Sequence, residues 1–239
     1  MKVGEQQQQQ VAGTGNGVQR CAVVVVIDPG HGDSHDESTT IDPGAVGGGL
    51  NESDIVLDIS KLLKGKLAAK TDLIESVHLT REGNVDNPSQ PKLLWRQQVA
   101  VAKKCDVFLS IHMNSFEKAS ANGKEVFYNH KSSNKAESAK FASALYTEYK
   151  LPIAWRQPPI KTSGLSVLAT YKWKSTKLGI YRDSTIFQSV KAAALFELGF
   201  ISNDADRKAV IDNKDNIAGW LCEGICSYVS ANRAALCGP

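Results

Sequence analysis

The chain has 239 residues, 42% hydrophobic and 22% charged, an ordinary globular composition that excludes a disordered, fibrous or coiled-coil protein. Its formal net charge of +3 is too weak to point to nucleic acid, although it suits an anionic polymer where basic residues cluster. The longest purely apolar run, Ala22–Ile27, is far short of the roughly 18 residues a membrane span needs, so none is predicted.

Met1–Arg20 is polar, with glutamines at Gln6–Gln10 and glycines at Gly13, Gly15 and Gly17. Such a segment buries too little apolar area to offset its ordering entropy and reads as a flexible tail. It lacks the apolar centre and cleavage pattern of a signal peptide, which leaves the delivery route open. Cys21–Ile27 follows as a β-branched run without alternation, the pattern of a central strand covered on both faces. Asp33–Ile41 is acidic and rich in Ser and Thr, and reads as a surface loop. From Glu52 the period changes: Ile55, Ile59, Leu62, Leu63 and Leu67 recur every three or four residues and predict an amphipathic helix.

Further on, the pattern predicts a strand at Ser76–Thr80, a helix at Lys92–Lys104 and a second buried strand at Asp106–Ile111. A strand at Glu125–Tyr128 and a helix at Lys135–Tyr149 come next, then strands at Leu178–Tyr181 and Ala192–Glu197, and helices at Ala205–Ile211 and Asn216–Ser230. Trp155–Lys177, mixed basic and aromatic, reads as an excursion from this frame, either holding a ligand or forming a solvated loop. Alternating buried strands and helices predict a single α/β domain, its mostly parallel, twisted sheet flanked by helices. The five cysteines (Cys21, Cys105, Cys222, Cys226, Cys237) form no C-x-x-C pair and read as small buried apolar side chains, with the redox compartment undecided.

In open α/β sheets ligands gather past the C-terminal strand ends. There the sequence puts His31, on the Asp28-Pro29-Gly30-His31-Gly32 turn, and His112, after the second buried strand. Glu52 opens the first helix and Glu197 closes the strand at Ala192–Phe196. Two His and one Glu with a fourth position for water form a known catalytic zinc set. Singly, each residue has another explanation, a cap or a favourable helix-dipole charge; convergence of all four on one sheet edge favours a metal. His78 and His130 read as an exposed strand position and a loop residue, and His35 as solvent-facing.

Five blocks, Val26-Ile-Asp-Pro-Gly-His-Gly32, Asp42-Pro-Gly-Ala45 followed by Glu52, Leu79-Thr-Arg81, Leu109-Ser-Ile-His-Met-Asn114 and Leu195-Phe-Glu-Leu-Gly-Phe-Ile-Ser-Asn203, occur in an order that resembles the zinc-dependent N-acetylmuramoyl-L-alanine amidases of cell-wall remodelling and phage lysis. The resemblance spans about Val23 to Ile211 and implies a catalytic domain over 21–239 after the tail at 1–20. It implies one Zn2+ per chain held by His31, Glu52 and His112, Glu197 as catalytic glutamate, and Asn114 and Arg182 as substrate contacts. Arg81 and Arg96 also fall on motif positions. Peptidoglycan is the implied substrate, the bacterial cell wall the implied place of action, and activity should fail once His31 and His112 are protonated. Neither nucleic acid nor a membrane is an implied partner, and an activator or inhibitor is not identifiable. The insertion at 33–41 and the enlarged stretch at 155–177 leave stem-peptide preference open. A zinc peptidase cutting within the stem peptide and a non-catalytic wall-binding protein are the alternative readings.

Overall fold

The computed structural model describes residues 22–34, 40–84, 92–130, 133–162, 172–174, 181–183 and 189–237, with positions 92, 94, 172–174 and 181–183 described by backbone alone. The predicted tail at 1–20, His35 and Cys21 lie outside the described residues.

The β-branched run forms strand β1 (Val23–Pro29), buried throughout. A short hairpin, β2 (Val46–Gly47) and β3 (Leu50–Asn51), leads into helix α1 (Glu52–Ala68), followed by β4 (Ile74–Leu79), α2 (Lys92–Ala102), β5 (Val107–Asn114), β6 (Lys124–Tyr128) and α3 (Lys135–Glu148). The remainder is β7 (Trp155–Thr162), β8 (Lys172–Lys174), β9 (Tyr181–Asp183), β10 (Ala192–Phe200), α4 (Asp204–Asp212), α5 (Lys214–Ala231) and α6 (Arg233–Cys237). One six-stranded sheet has the order β4-β1-β5-β10-β6-β7. All its pairs are parallel except β10 with β6. The sheet is therefore mostly parallel, as the alternation of strands and helices predicts. No helix among the described residues is long and apolar enough to cross a membrane.

Both faces of the central strands are covered, which accounts for their lack of polar alternation. Val23, Val25 and Ile27 of β1, with Val107, Leu109 and Ile111 of β5 and Ala192, Ala194 and Phe196 of β10, pack against α1, α3 and α5 in the larger core. The intervening residues Val26, Phe108, Ala193 and Leu195 form a smaller core with Ala100 of α2 on the other face. Side chains alternate along a strand, so Asp28, Ser110, His112 and Glu197 all belong to the smaller-core face. That face carries these polar side chains together.

Several elements differ from expectation. The second buried strand runs on to Asn114, so His112 and Asn114 are strand residues. The strand from Ala192 continues to Phe200, with a register shift after Glu197, so Glu197 lies inside it and does not end it. The stretch 155–177 is only partly an excursion, because Trp155–Thr162 is the sixth strand of the sheet. Its polar character and Pro158 and Pro159 suit an edge, where one side of the backbone needs no ladder bonds. Asp33 and Ser34, expected in a surface loop, are buried, and Ser34 bridges Ile41; positions 35–39 lie outside the described residues. Of the predicted strand at Leu178–Tyr181 only Tyr181 is described, at the start of β9, which pairs with β8. Cys105, Cys222 and Cys226 are free and buried, but Cys237 is disulfide-bonded.

On the larger-core face of β6, Lys124 is buried, donates to the Leu151 carbonyl and lies 4.9 Å from the Trp155 ring centroid and 5.3 Å from that of Tyr149. Burial brings its pKa down from 10.5 to about 8. An unfolded chain therefore holds this proton to higher pH than the folded one, so the cost of burying the charge is full below the folded value and fades above it. The stability of the wild type relative to Lys124→Met should rise as pH goes from about 7 to about 10. Urea midpoints of the two proteins across that range check this, and a constant difference contradicts it.

Candidate metal centre

At the end of β1 the turn that carries His31 is built on buried charge. The Asp28 carboxylate, fully buried, accepts from Arg96 Nη1 and Thr80 Oγ1, both at 2.6 Å, and from Ser110 Oγ at 2.7 Å. Burial alone would raise its pKa, but the Arg96 charge and these hydrogen bonds hold it below the usual carboxylate value. Arg96 also donates to the carbonyls of Pro29 at 2.7 Å and His31 at 2.6 Å. Arg81 donates to the carbonyls of Pro29 at 3.0 Å, Gly30 at 2.8 Å and Ser53 at 2.8 Å. Burial and the neighbouring Arg96 charge bring Arg81 down to about 10, so it remains a cation at neutral pH. Two guanidinium groups thus occupy three successive carbonyls of the turn and tie it to the start of α1.

Held this way, His31 adopts a left-handed backbone with φ 57°, rare for a residue with a Cβ. Its Nδ1 lies 2.9 Å from Asp42 Oδ2, and Asp42 Oδ1 accepts from the Gly44 N–H at 2.9 Å. With the ring proton on Nδ1 shared with Asp42, Nε2 keeps its lone pair on the side of Glu52, 3.3 Å from Oε2. Glu52 opens α1 and is itself buried. Its Oε2 accepts from the Ala45 N–H at 3.0 Å and its Oε1 from the Met113 N–H at 2.9 Å. His112, on β5, places Nδ1 2.9 Å from Glu52 Oε1. The imidazoles meet edge to face with centroids 5.0 Å apart. Gly30 permits that approach, since a Cβ there would stand 2.2 Å from His112 Cε1.

One ligand atom each from His31, Glu52 and His112 thus lies within 4.8 Å of the others, an arrangement that could hold a metal ion. The electrostatics match. Burial opposes the Glu52 charge, but hydrogen bonds and charge interactions with His112 and His31 outweigh it and hold the carboxyl well below its usual range. For His31, burial lowers the pKa, while Glu52 and then Asp42 raise it above the ordinary value. A negative site that draws a proton onto the His31 ring is one a divalent cation neutralises.

Glu197 stands beside this group, in register with His112 on one side and Glu125 of β6 on the other. Its Oε2 is buried and has no hydrogen-bond partner among the described residues. Burial, then the nearby negative charges of Glu52 and Glu125, push its pKa well above the usual carboxylate value. Asn114 of β5 donates through Nδ2 to Glu125 Oε1 at 2.8 Å and accepts the Ser115 N–H on Oδ1. Arg182 lies on β9 opposite Trp173, placed by its backbone alone. His78 lies away from the centre on β4, beside Ser76. Sequence reasoning missed the orienting role of Asp42 and the whole of Glu125. The first had a signal in the Asp42-Pro-Gly-Ala45 block; the second depends on which strands lie side by side.

A family model described as N-acetylmuramoyl-L-alanine amidase matches residues 25–227. The chain belongs to this amidase family. It is 30% identical over 206 residues to N-acetylmuramoyl-L-alanine amidase LytC of Bacillus subtilis (strain 168), a match covering 85% of this chain and 35% of that protein. A germination-specific N-acetylmuramoyl-L-alanine amidase of the same organism is 28% identical over 218 residues, covering 86% of this chain and 79% of its own. The chain spans only about a third of LytC, and 25% of AmiC from Neisseria meningitidis serogroup B (strain ATCC BAA-335 / MC58). Among solved structures, the catalytic domain of the amidase CwlV from Bacillus (Paenibacillus) polymyxa var. colistinus superposes with a TM-score of 0.64 at 25% identity, covering 87% of this chain and 98% of that one. An amidase from Clostridium difficile 630 shares the fold, with a TM-score of 0.67 at 24% identity, covering 88% and 98%.

In this amidase-family domain the buried Asp28–Arg96 pair should be needed for stability as well as for the site. Arg96→Leu strips Asp28 of its buried counter-ion and should cost about 3–5 kcal/mol in chemical denaturation. A loss under about 1 kcal/mol, the level of an exposed ion pair, contradicts the reading.

Proposed function

We propose that the domain hydrolyses the amide joining the lactyl group of N-acetylmuramic acid to L-alanine in peptidoglycan, using one zinc ion per chain bound by His31, Glu52 and His112. The observation that carries the proposal is the convergence of those three ligand atoms within 4.8 Å, with Glu197 Oε2, unpartnered among the described residues, in the adjoining strand. Two imidazoles and a carboxylate match the nitrogen and oxygen donors zinc takes in hydrolases, and the described ligand set contains no thiolate. Zinc bound here would polarise the amide carbonyl and bring the pKa of its water to about 7.

The chain's own groups supply the rest. Asp42 fixes the His31 ring and its tautomer. The Ala45 and Met113 N–H groups keep both Glu52 oxygens aimed between the imidazoles. A carboxylate with a raised pKa is a stronger base than an ordinary one, so Glu197 is suited to take a proton from the attacking water and return it to the departing alanine nitrogen. As that C–N bond breaks, the nitrogen leaves as a neutral amine and the lactyl carbonyl becomes a carboxylic acid. Asn114, beside His112 on β5, and Arg182, on β9, complete the proposal as substrate contacts. The substrate puts the site of action at the bacterial cell wall.

Glu197→Gln should retain zinc and fold while losing about 10²–10⁴-fold in hydrolysis, the usual worth of a positioned acid–base group. Metal analysis beside mass spectrometry of a peptidoglycan digest reads both quantities. Wild-type products should be peptides with a new N-terminal alanine, no new reducing ends should appear on the glycan, and a chelator should abolish release. Near-normal turnover by the variant removes Glu197 from the mechanism; cleavage inside the stem peptide favours a peptidase.

A further inference from the structure

On the smaller-core face the row of functional side chains does not stop at Glu197. Glu125 is next across the sheet, and beyond it β7 presents two cations. Lys161 Nζ donates to Glu125 Oε2, and Arg156 Nε lies 3.3 Å from Glu125 Oε1. Asn114 Nδ2 holds that same Oε1 at 2.8 Å. The Arg156 guanidinium lies over the Phe200 ring at 5.0 Å, and Lys161 over Phe127 at 5.9 Å. Each cation is thus seated against a ring and anchored to one buried carboxylate. Glu125 exposes 4% of its side chain, against 38% for Arg156 and 26% for Lys161, so the negative group is covered and the positive groups face outward. Two cations and one carboxylate leave a net positive charge there. A lysine has three N–H donors and an arginine five; among the described residues Lys161 gives one to Glu125 and Arg156 gives one, from Nη1, to the Asn122 carbonyl.

The direction of the substrate follows from where the proton is delivered. Glu197 lies between the His31–Glu52–His112 group and β6, so a departing peptide that continues along the same row of side chains crosses β6 toward β7. Neighbouring strands are about 5 Å apart, which puts Glu125 about 5 Å and the β7 backbone about 10 Å from the Glu197 position. Two extended residues span about 7 Å, and the Arg156 and Lys161 heads lean back from β7 to Glu125. On that path the second residue of the leaving peptide comes within reach of the two cations.

Resting on the hydrolytic reading above, we infer that Arg156 and Lys161 form a subsite for a carboxylate on the second residue of the leaving peptide, so that the domain prefers stem peptides whose glutamyl carboxyls are free over those in which they are amidated. Glu125 and Asn114 act as positioning residues that hold the two heads in place.

The test uses the zinc-loaded protein and two muramoyl dipeptides, N-acetylmuramoyl-L-alanyl-D-glutamate and its diamide. Wild type should show a lower KM for the acid than for the diamide. Arg156→Gln and Lys161→Gln should each raise KM for the acid by about tenfold, the size of one charge-assisted hydrogen bond, and KM for the diamide by much less. Lys161→Arg should restore the preference for the acid. Equal losses on both substrates would assign the pair to holding Glu125 alone and overturn the subsite, as would a wild type that does not distinguish acid from diamide. The released dipeptide L-alanyl-D-glutamate and its diamide are titrated separately by NMR. Selective binding of the acid that Arg156→Gln abolishes supports the subsite even where no hydrolysis is seen, a result that would count against the hydrolytic reading alone.

Discussion

A buried carboxylate with a buried guanidinium partner is the constraint on which the rest of the site depends. Asp28 has no solvent exposure and Arg96 almost none, so neither tolerates loss of the other. Their pairing brings Arg96 to the carbonyls of Pro29 and His31, and Arg81 closes on Pro29, Gly30 and Ser53. Those bonds offset the cost of a left-handed histidine and join the β1 turn to the start of α1. The ligand atoms of His31 and Glu52 are thus fixed relative to one another before any ion is considered. This is preorganisation by polar contacts lying behind the candidate ligands.

The sheet supplies the second coordinate. Because β5, β10 and β6 pair in register at His112, Glu197 and Glu125, their side chains emerge on one face as a row. Parallel strands contribute His112 and Glu197, the turn after β1 contributes His31 and the start of α1 contributes Glu52, while the single antiparallel pairing brings the start of β6 to the same edge. The row passes from the His112 imidazole to a half-buried Glu197 and then to a carboxylate paired with cations.

His31, Glu52 and His112 were legible in the sequence because each stands where a local pattern changes: a turn after a buried run, a helix start, the end of an apolar stretch. Those signals need only near neighbours in the chain. Glu197 was legible as a residue but misplaced as a strand end, because Gly199 reads as punctuation, whereas the strand absorbs it through a register shift and runs on to Phe200. Glu125, Arg156 and Lys161 were not legible as a group. Periodicity says that a strand exists but not which strand lies beside it, and β7, with two prolines and little alternation, does not read as a strand at all. Their meaning comes from lateral pairing across 36 residues for Glu125 and Lys161.

The proposed hydrolysis depends on one ion bound by two imidazoles and a carboxylate at the edge of the sheet. X-ray absorption spectroscopy of the zinc-loaded protein, with metal content measured on the same sample, tests that most directly. One zinc per chain, with nitrogen and oxygen neighbours at about 2.0–2.2 Å and two imidazole signatures, is the expected result. Sulfur neighbours at about 2.3 Å, or a shell with a single imidazole, would contradict it.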